Sequence, residues 1–145
     1  MTINYSSDND IIIPTQHNTT YRGLGGDDIY IITRAISDGA KINIVDTEGT
    51  NIIQLTEGLS ILSSKFASTA FQVTLSNNAE ITISSSHKNL YEIGGNATTG
   101  LIVDQKNYKD FISFFGINSL PSVKSIKGLT NLITVSYTHL RAHET

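Results

Sequence analysis

Along the first hundred residues, apolar positions recur with a period of two in short runs separated by glycine, asparagine and aspartate. Lys41–Val45 places Ile42 and Ile44 on one face, and Asn51–Leu55 follows the turn at Glu48–Gly49. Gly58–Leu62 follows a second Glu-Gly turn. Phe71–Ser76 alternates Phe71, Val73 and Leu75, and Ala79–Ser84 alternates Ile81 and Ile83. Each run reads as a half-buried strand. Asn77-Asn78 between the last two predicts a hairpin with a two-residue loop, because asparagine tolerates the left-handed backbone such a loop needs. Asn89–Ile93 is a further short strand, closed by Gly94-Gly95-Asn96. Beyond Gly100 the period changes. Tyr108, Phe111, Ile112 and Phe115 fall at i, i+3, i+4 and i+7, with Asn107 as N-cap and Gly116 as stop. This predicts one short helix over 107–116, packed as a cap on the open end of the strand stack. Pro121 opens a Ser/Lys-rich tail that reads as linker.

The stretch TYRGLGGDDIYIIT, residues 20–33, has a different local logic. Gly23, Gly25, Gly26, Asp27 and Asp28 are crowded together just before the strand-forming run Ile29 to Ile32. The unit is a glycine turn, a pair of carboxylates, then a strand. Nine-residue steps back from Tyr30 reach Tyr21 and Ile12, and the same steps from Asp28 reach Thr19 and Asp10. The upstream copy SSDNDIIIP has Asp8 and Asp10 ahead of Ile11, Ile12 and Ile13; the middle copy has lost its acid. Downstream, IVDTEGTNIIQL carries Gly49, Asn51 and Ile53 in the glycine, aspartate and apolar slots, preceded by Asp46 and Glu48.

These residues resemble the nonapeptide GGxGxDxUx of the repeats-in-toxin family of bacterial exoproteins, with Gly23, Gly26, Asp28 and Tyr30 in register and Leu24 in place of the second glycine. The resemblance implies a calcium β-roll in which two nonapeptides make one coil. Asp10 and Asp28 would then lie one coil apart on the same edge and share a calcium ion, with Asp8, Asp27 and the carbonyls of Gly23 and Gly25 nearby. Later segments (DTEGTNIIQL, VTLSNNAEITI, YEIGGNATTG, YKDFISFFGI) look like a module of large exoproteins that carry such repeats. The expected fold is all-β: a short roll- or solenoid-like start, then stacked strands and a hairpin, then one short C-terminal helix. Residues 1–19 read as degenerate repeat turns, 20–117 as the main β domain and 118–134 as a linker-like tail. VSYTHLRAHET, residues 135–145, resembles a translated sequencing adapter and is set aside as a non-native scar.

Composition narrows the chemistry. Hydrophobic residues make up 39% of the 145, enough for one core, while charged residues are only 16% and the net charge is −3. Nothing in that balance attracts nucleic acid or an anionic membrane. Eight acids fall in residues 1–60 against Arg22, Arg34 and Lys41, so negative charge concentrates where the turn motif lies. There is no cysteine, which excludes disulfides and thiolate metal sites, and hard oxygen donors favour calcium over zinc. No apolar run is long enough for a membrane helix. GLGG is a poor phosphate loop, because Asp27 and Asp28 would repel phosphate and no Lys-Ser/Thr follows. His17 and His87 are isolated, and no nucleophile–base set can be assembled. The expectation is a non-catalytic, calcium-binding structural module of a larger secreted or cell-surface bacterial protein, ordering on export. The alternative is an adhesion module that recognises surface glycans without essential calcium.

Overall fold

The computed structural model describes residues 1–56, 59–94 and 105–121, and the backbone of 133–135. The fold is mostly β-sheet, in two sheets whose pairing is largely parallel, with one short helix near the C-terminal end. Strands β1 (Thr2–Asn4), β3 (Thr19–Arg22), β5 (Lys41–Ile44) and β9 (Glu80–Ser84) lie side by side, all parallel, in the larger sheet. Strands β2 (Ile11–Ile12), β4 (Ile29–Ile32), β6 (Ile52–Leu55) and β10 (Leu90–Ile93) form the smaller sheet, again all parallel. The chain therefore crosses from one sheet to the other at almost every turn. The exception is an antiparallel excursion, β7 (Ile61–Phe66) and β8 (Ala70–Leu75), which extends the larger sheet beyond β9.

Register shows how the crossings are spaced. Thr2 pairs with Thr20 and Ile11 with Ile29, so both sheets advance by the same eighteen-residue step. The next step is twenty-three in both sheets, from Thr19 to Ile42 and from Ile29 to Ile52. The third carries the β7–β8 excursion and runs from Lys41 to Glu80 and from Ile52 to Leu90. Matched steps in the two sheets, equal for the first two and one residue apart at the third, keep inward-facing side chains stacked. Tyr21, Ile44 and Ile83 form one buried row, and Ile12, Tyr30, Ile53 and Tyr91 form another facing it. The larger sheet buries one face only, which is why alternation survives in β5, β8 and β9.

The hairpin runs Phe71 to Ile83 and Thr74 to Glu80, as the alternation predicts. Its loop is not a two-residue turn. Leu75 N donates to the Ala79 carbonyl at 2.8 Å, which leaves Ser76, Asn77 and Asn78 in a three-residue loop. Asn78 carries the left-handed residue at φ 67°, the position a three-residue hairpin requires. The run expected at Gly58–Leu62 begins later, at Ile61, and the Glu57-Gly58 turn lies outside the described residues, as do Gly95 and Asn96.

Helix α1 (Tyr108–Ser113) starts where its cap predicts. Asn107 Oδ1 accepts the Asp110 amide at 2.8 Å. It ends earlier than expected, and residues 114–116 continue as a turn that closes at Gly116, φ +89°. The aromatic face still lands as one block. Phe111 stacks on Tyr91 with centroids 4.3 Å apart, and Phe66, Phe71, Tyr108 and Phe115 surround them. The Tyr108 hydroxyl donates to the Ala67 and Ala70 carbonyls at 2.7 and 3.0 Å, tying the helix to the β7–β8 connection.

The tail expected as linker returns to the sheet. Strand β11 (Ile133–Val135) pairs antiparallel with β7, Ile133 opposite Phe66 and Val135 opposite Ser64, across the expected boundary at 134/135. Residues 122–132 and 136–145 lie outside the described residues. Two substitutions test the end block. Phe111→Ala should cost about 3–5 kcal/mol in urea unfolding, as for other fully buried aromatics. Asn107→Ala should cost about 1 kcal/mol, because only the cap bond is lost.

Candidate functional site

The turns between the larger and smaller sheet gather every acid singled out by the sequence on one edge of the molecule. Ile11 pairs with Ile29, so Asp10 and Asp28 stand one strand apart, each immediately before its strand. The same slot is filled by Asn51 before β6 and by Asn89 before β10, and both are buried. The side chains in this edge hand oxygens to the neighbouring turn's backbone. Asp10 N donates to Asp28 Oδ1 at 2.8 Å, and Asp28 N donates to Asn51 Oδ1 at 2.9 Å. One position earlier, Asp27 N donates to Asn9 Oδ1, and Thr50 N to Asp27 Oδ1, both at 2.8 Å. The backbones press close where these turns stack. A Cβ on Gly26 would strike the Asp8 carbonyl, and one on Gly49 would fall on the Gly26 carbonyl. Both glycines also have positive φ, so no side chain fits there on either count.

The expected calcium ligands are therefore distributed as follows. Asp10 uses its carboxylate on Ser6, accepting from the hydroxyl at 3.1 Å and from the amide at 3.2 Å. Asp27 is exposed and serves Thr50. Asp8 is exposed and contributes its carbonyl to the stack under Gly26. Gly25 lies against Ser7, and Gly23 is buried beneath Asp28. Among the described residues, no three His, Cys, Asp or Glu side chains converge to hold a metal ion.

What the edge does converge is a buried carboxylate pair. Asp46 follows β5 as Gly23 follows β3, because Tyr21 pairs with Ile44. Its side chain turns inward, where Tyr30 donates its hydroxyl proton to Asp46 Oδ2 at 2.7 Å and accepts the Gly23 amide at 2.7 Å. Asp28 Oδ2 points to the same place. A Cβ on Gly23 would fall on both Asp28 Oδ2 and Asp46 Oδ2 and touch the Tyr30 hydroxyl. Asp28 is fully buried, and its Oδ2 has no hydrogen-bond partner. Burial and then the neighbouring Asp46 carboxyl push the Asp28 pKa up to about 7, against the Asp10 amide, which pulls it down. Burial first, and Asp46 next, raise the Tyr30 pKa, so its hydroxyl remains a donor. Two buried carboxylates this close require a positive counterpart, either a proton held between them or a cation.

The sequence reading reached Asp28 but not its partner. Asp10, Asp28 and Asp46 are evenly spaced by eighteen, a signal available in the chain. It misleads, because the second step lengthens to twenty-three and Asn51, not Asp46, takes the stacked slot. Asp46 reaches Asp28 across the turn instead. No protein-family model matches this chain, and neither a curated protein nor a solved structure does.

Three outcomes follow from this geometry. Gly23→Ala should destabilise by at least about 2 kcal/mol, because the methyl overlaps two buried carboxylate oxygens whose side chains are held by the Asp10 amide and the Tyr30 hydroxyl. Tyr30→Phe should cost roughly 1–3 kcal/mol by leaving the Gly23 amide and Asp46 Oδ2 without their shared partner. The third concerns pH. Asp28 holds its proton to about pH 7 when folded but releases it at the ordinary carboxylate value, about 4, when unfolded. Between those limits the folded state binds more protons, so this group's contribution to stability falls as pH rises and levels off above 7. Urea midpoints at pH 5 and pH 8 in chelator should show that decline, and Asp28→Asn, which keeps an oxygen for the Asp10 amide, should flatten it.

Proposed function

We propose that the chain is a non-catalytic structural module of a larger secreted or cell-surface bacterial protein, a short β-roll-type stack whose acidic edge orders with calcium. The observation that supports this best is the common eighteen-residue step in both sheets, which sets Asp10 beside Asp28 on one edge. An unpaired buried oxygen on Asp28, next to Asp46, is a hard donor set short of a positive charge. Calcium fits that deficit in charge and in donor type. Asp28 and Asp46 would hold it, and it would neutralise their repulsion. Asp10 closes its own turn on Ser6 and Asp27 stacks on the next turn at Thr50, so protein donors already use their oxygens. The glycan-binding alternative draws little from the aromatic side chains. Every Phe and Tyr ring of the described residues is buried or half-buried, so none forms a stacking platform on an exposed sheet face. Among the described residues, no helix is long and apolar enough to cross a membrane.

Thermal melts with calcium, with magnesium and with chelator test the reading. At ten times a dissociation constant of order 10⁻⁴–10⁻³ M, calcium should add about 1.4 kcal/mol. The gain should be present at pH 8 and small at pH 5, where the proton already occupies the pair. Magnesium should substitute poorly because it demands a tighter octahedral shell. Asp28→Asn should remove most of the calcium shift. If several millimolar calcium leaves the melt unmoved at both pH values, the calcium part of the reading is wrong and the carboxylate pair is held by a proton alone.

A further inference from the structure

The edge opposite the acidic turns carries a feature with no part in the stacking. The loop after β4 and the β8–β9 hairpin loop border a half-open cavity of about 250 Å³, lined by Arg34, Asp38, Ser60, Ser76 and Asn77 above Leu59 and Leu75. We propose that this cavity binds a small neutral polyhydroxyl ligand, the size of one sugar ring.

Four observations lead there. First, the site is built. Asn77 Nδ2 donates to the Ile36 carbonyl at 3.0 Å and to Asp38 Oδ1 at 3.1 Å, while Asn77 Oδ1 accepts the Ala79 amide at 3.1 Å. The Gly39 amide donates to the Asn77 carbonyl at 2.9 Å. Asp38 is thus held toward the hairpin with acceptor capacity left over. Second, Arg34 is exposed and makes no side-chain hydrogen bond or ion pair among the described residues, and it does not pair with Asp38. Its donors are available. Third, opposite charges on one cavity disfavour a ligand of either net sign and suit one whose groups both donate and accept. A hydroxyl does both, so neighbouring hydroxyls can serve a donor-only guanidinium and an acceptor-only carboxylate together. Fourth, Leu59 and Leu75 beneath the cavity are buried and offer a ligand almost no surface, so recognition falls to the polar rim, whose groups match hydroxyls. The volume lies just under the usual range for ligand cavities, which fits a single ring and not an oligosaccharide.

This inference is independent of the structural-module reading, because no residue of the cavity belongs to the acidic edge. The test is an amide-shift titration of the full chain by NMR with the methyl glycosides of glucose, galactose and mannose, raised to tens of millimolar. Glycine, a zwitterion, and inorganic phosphate serve as comparison probes. At least one glycoside should give saturable shifts confined to residues 34–39, 59–60 and 75–79, with a millimolar dissociation constant. Arg34→Ala should weaken binding at least about tenfold (a loss of 1.4 kcal/mol) without changing the fold, since the side chain has no partner to lose among the described residues. Asp38→Ala should also weaken binding, at the cost of one hydrogen bond to Asn77, with the amide spectrum away from the loop unchanged. The proposal is overturned if no glycoside gives saturable shifts, if glycine or phosphate gives them instead, if the shifts map elsewhere, or if Arg34→Ala binds as the parent does.

Discussion

The structure depends on one constraint: each turn on the acidic edge must sit directly on its neighbour, backbone on backbone. On this edge the connections between the parallel strands stack as closely as the strands themselves. Glycine at 26 and 49 permits the approach, since a side chain would collide with the carbonyl of the adjacent turn. Asx residues at the head of each strand then bridge the layers. Asn9, Asp27, Asp28 and Asn51 each pass a side-chain oxygen to an amide one layer away. Those amides would otherwise be left unpaired at the mouth of the sheet, at a cost of about 1–3 kcal/mol each where buried. The acidic character of the edge follows from this need for acceptors as much as from any need for a metal.

The same stacking explains why a carboxylate pair is tolerated in the interior. Asp28 is fixed on one side by the Asp10 amide and on the other by its own amide bond to Asn51. Asp46 is fixed by Tyr30, whose hydroxyl is in turn held by the Gly23 amide. Asp28 cannot swing out to water without breaking the ladder that positions the strands, and Asp46 cannot without releasing Tyr30. Their electrostatic cost is therefore carried by the fold, and it makes the edge responsive to protons and cations while the apolar rows behind it remain unaffected.

The two ends of the stack are finished differently. At the C-terminal side, β10 is met by an antiparallel bridge between Tyr91 and Lys106, and α1 lays Phe111 on Tyr91. The β7–β8 excursion widens the larger sheet just where that aromatic block sits, giving it Phe66 and Phe71 as a floor. At the other end, β1 and β2 are the outermost strands of their sheets, and Ile11 in β2 and Ile13 just after it are exposed. Capping one end with a helix meets the need to cover the last apolar layer and the last strand edge.

The sequence by itself determined the local elements. The period-two runs specified β5, β6, β8, β9 and β10 to within a residue or two, and the i, i+3, i+4, i+7 aromatics with Asn107 specified α1, because alternation and capping are properties of neighbouring residues. It also specified the eighteen-residue step that joins Asp10 to Asp28, because a repeat is a local pattern copied. Tertiary structure decided where the copying stops. Loop length between β4 and β5 can grow without disturbing the strands, so the step becomes twenty-three and Asp46 leaves the stacked slot to meet Asp28 from across the turn. The return of Ile133–Val135 to β7 likewise has no local signal, since a short strand is selected by the free edge it finds. Whether a carboxylate ends up as a turn acceptor, as Asp27 does, or as half of a buried pair, as Asp28 does, depends on which backbone amides reach it first. Only the packed layers bring those amides within range.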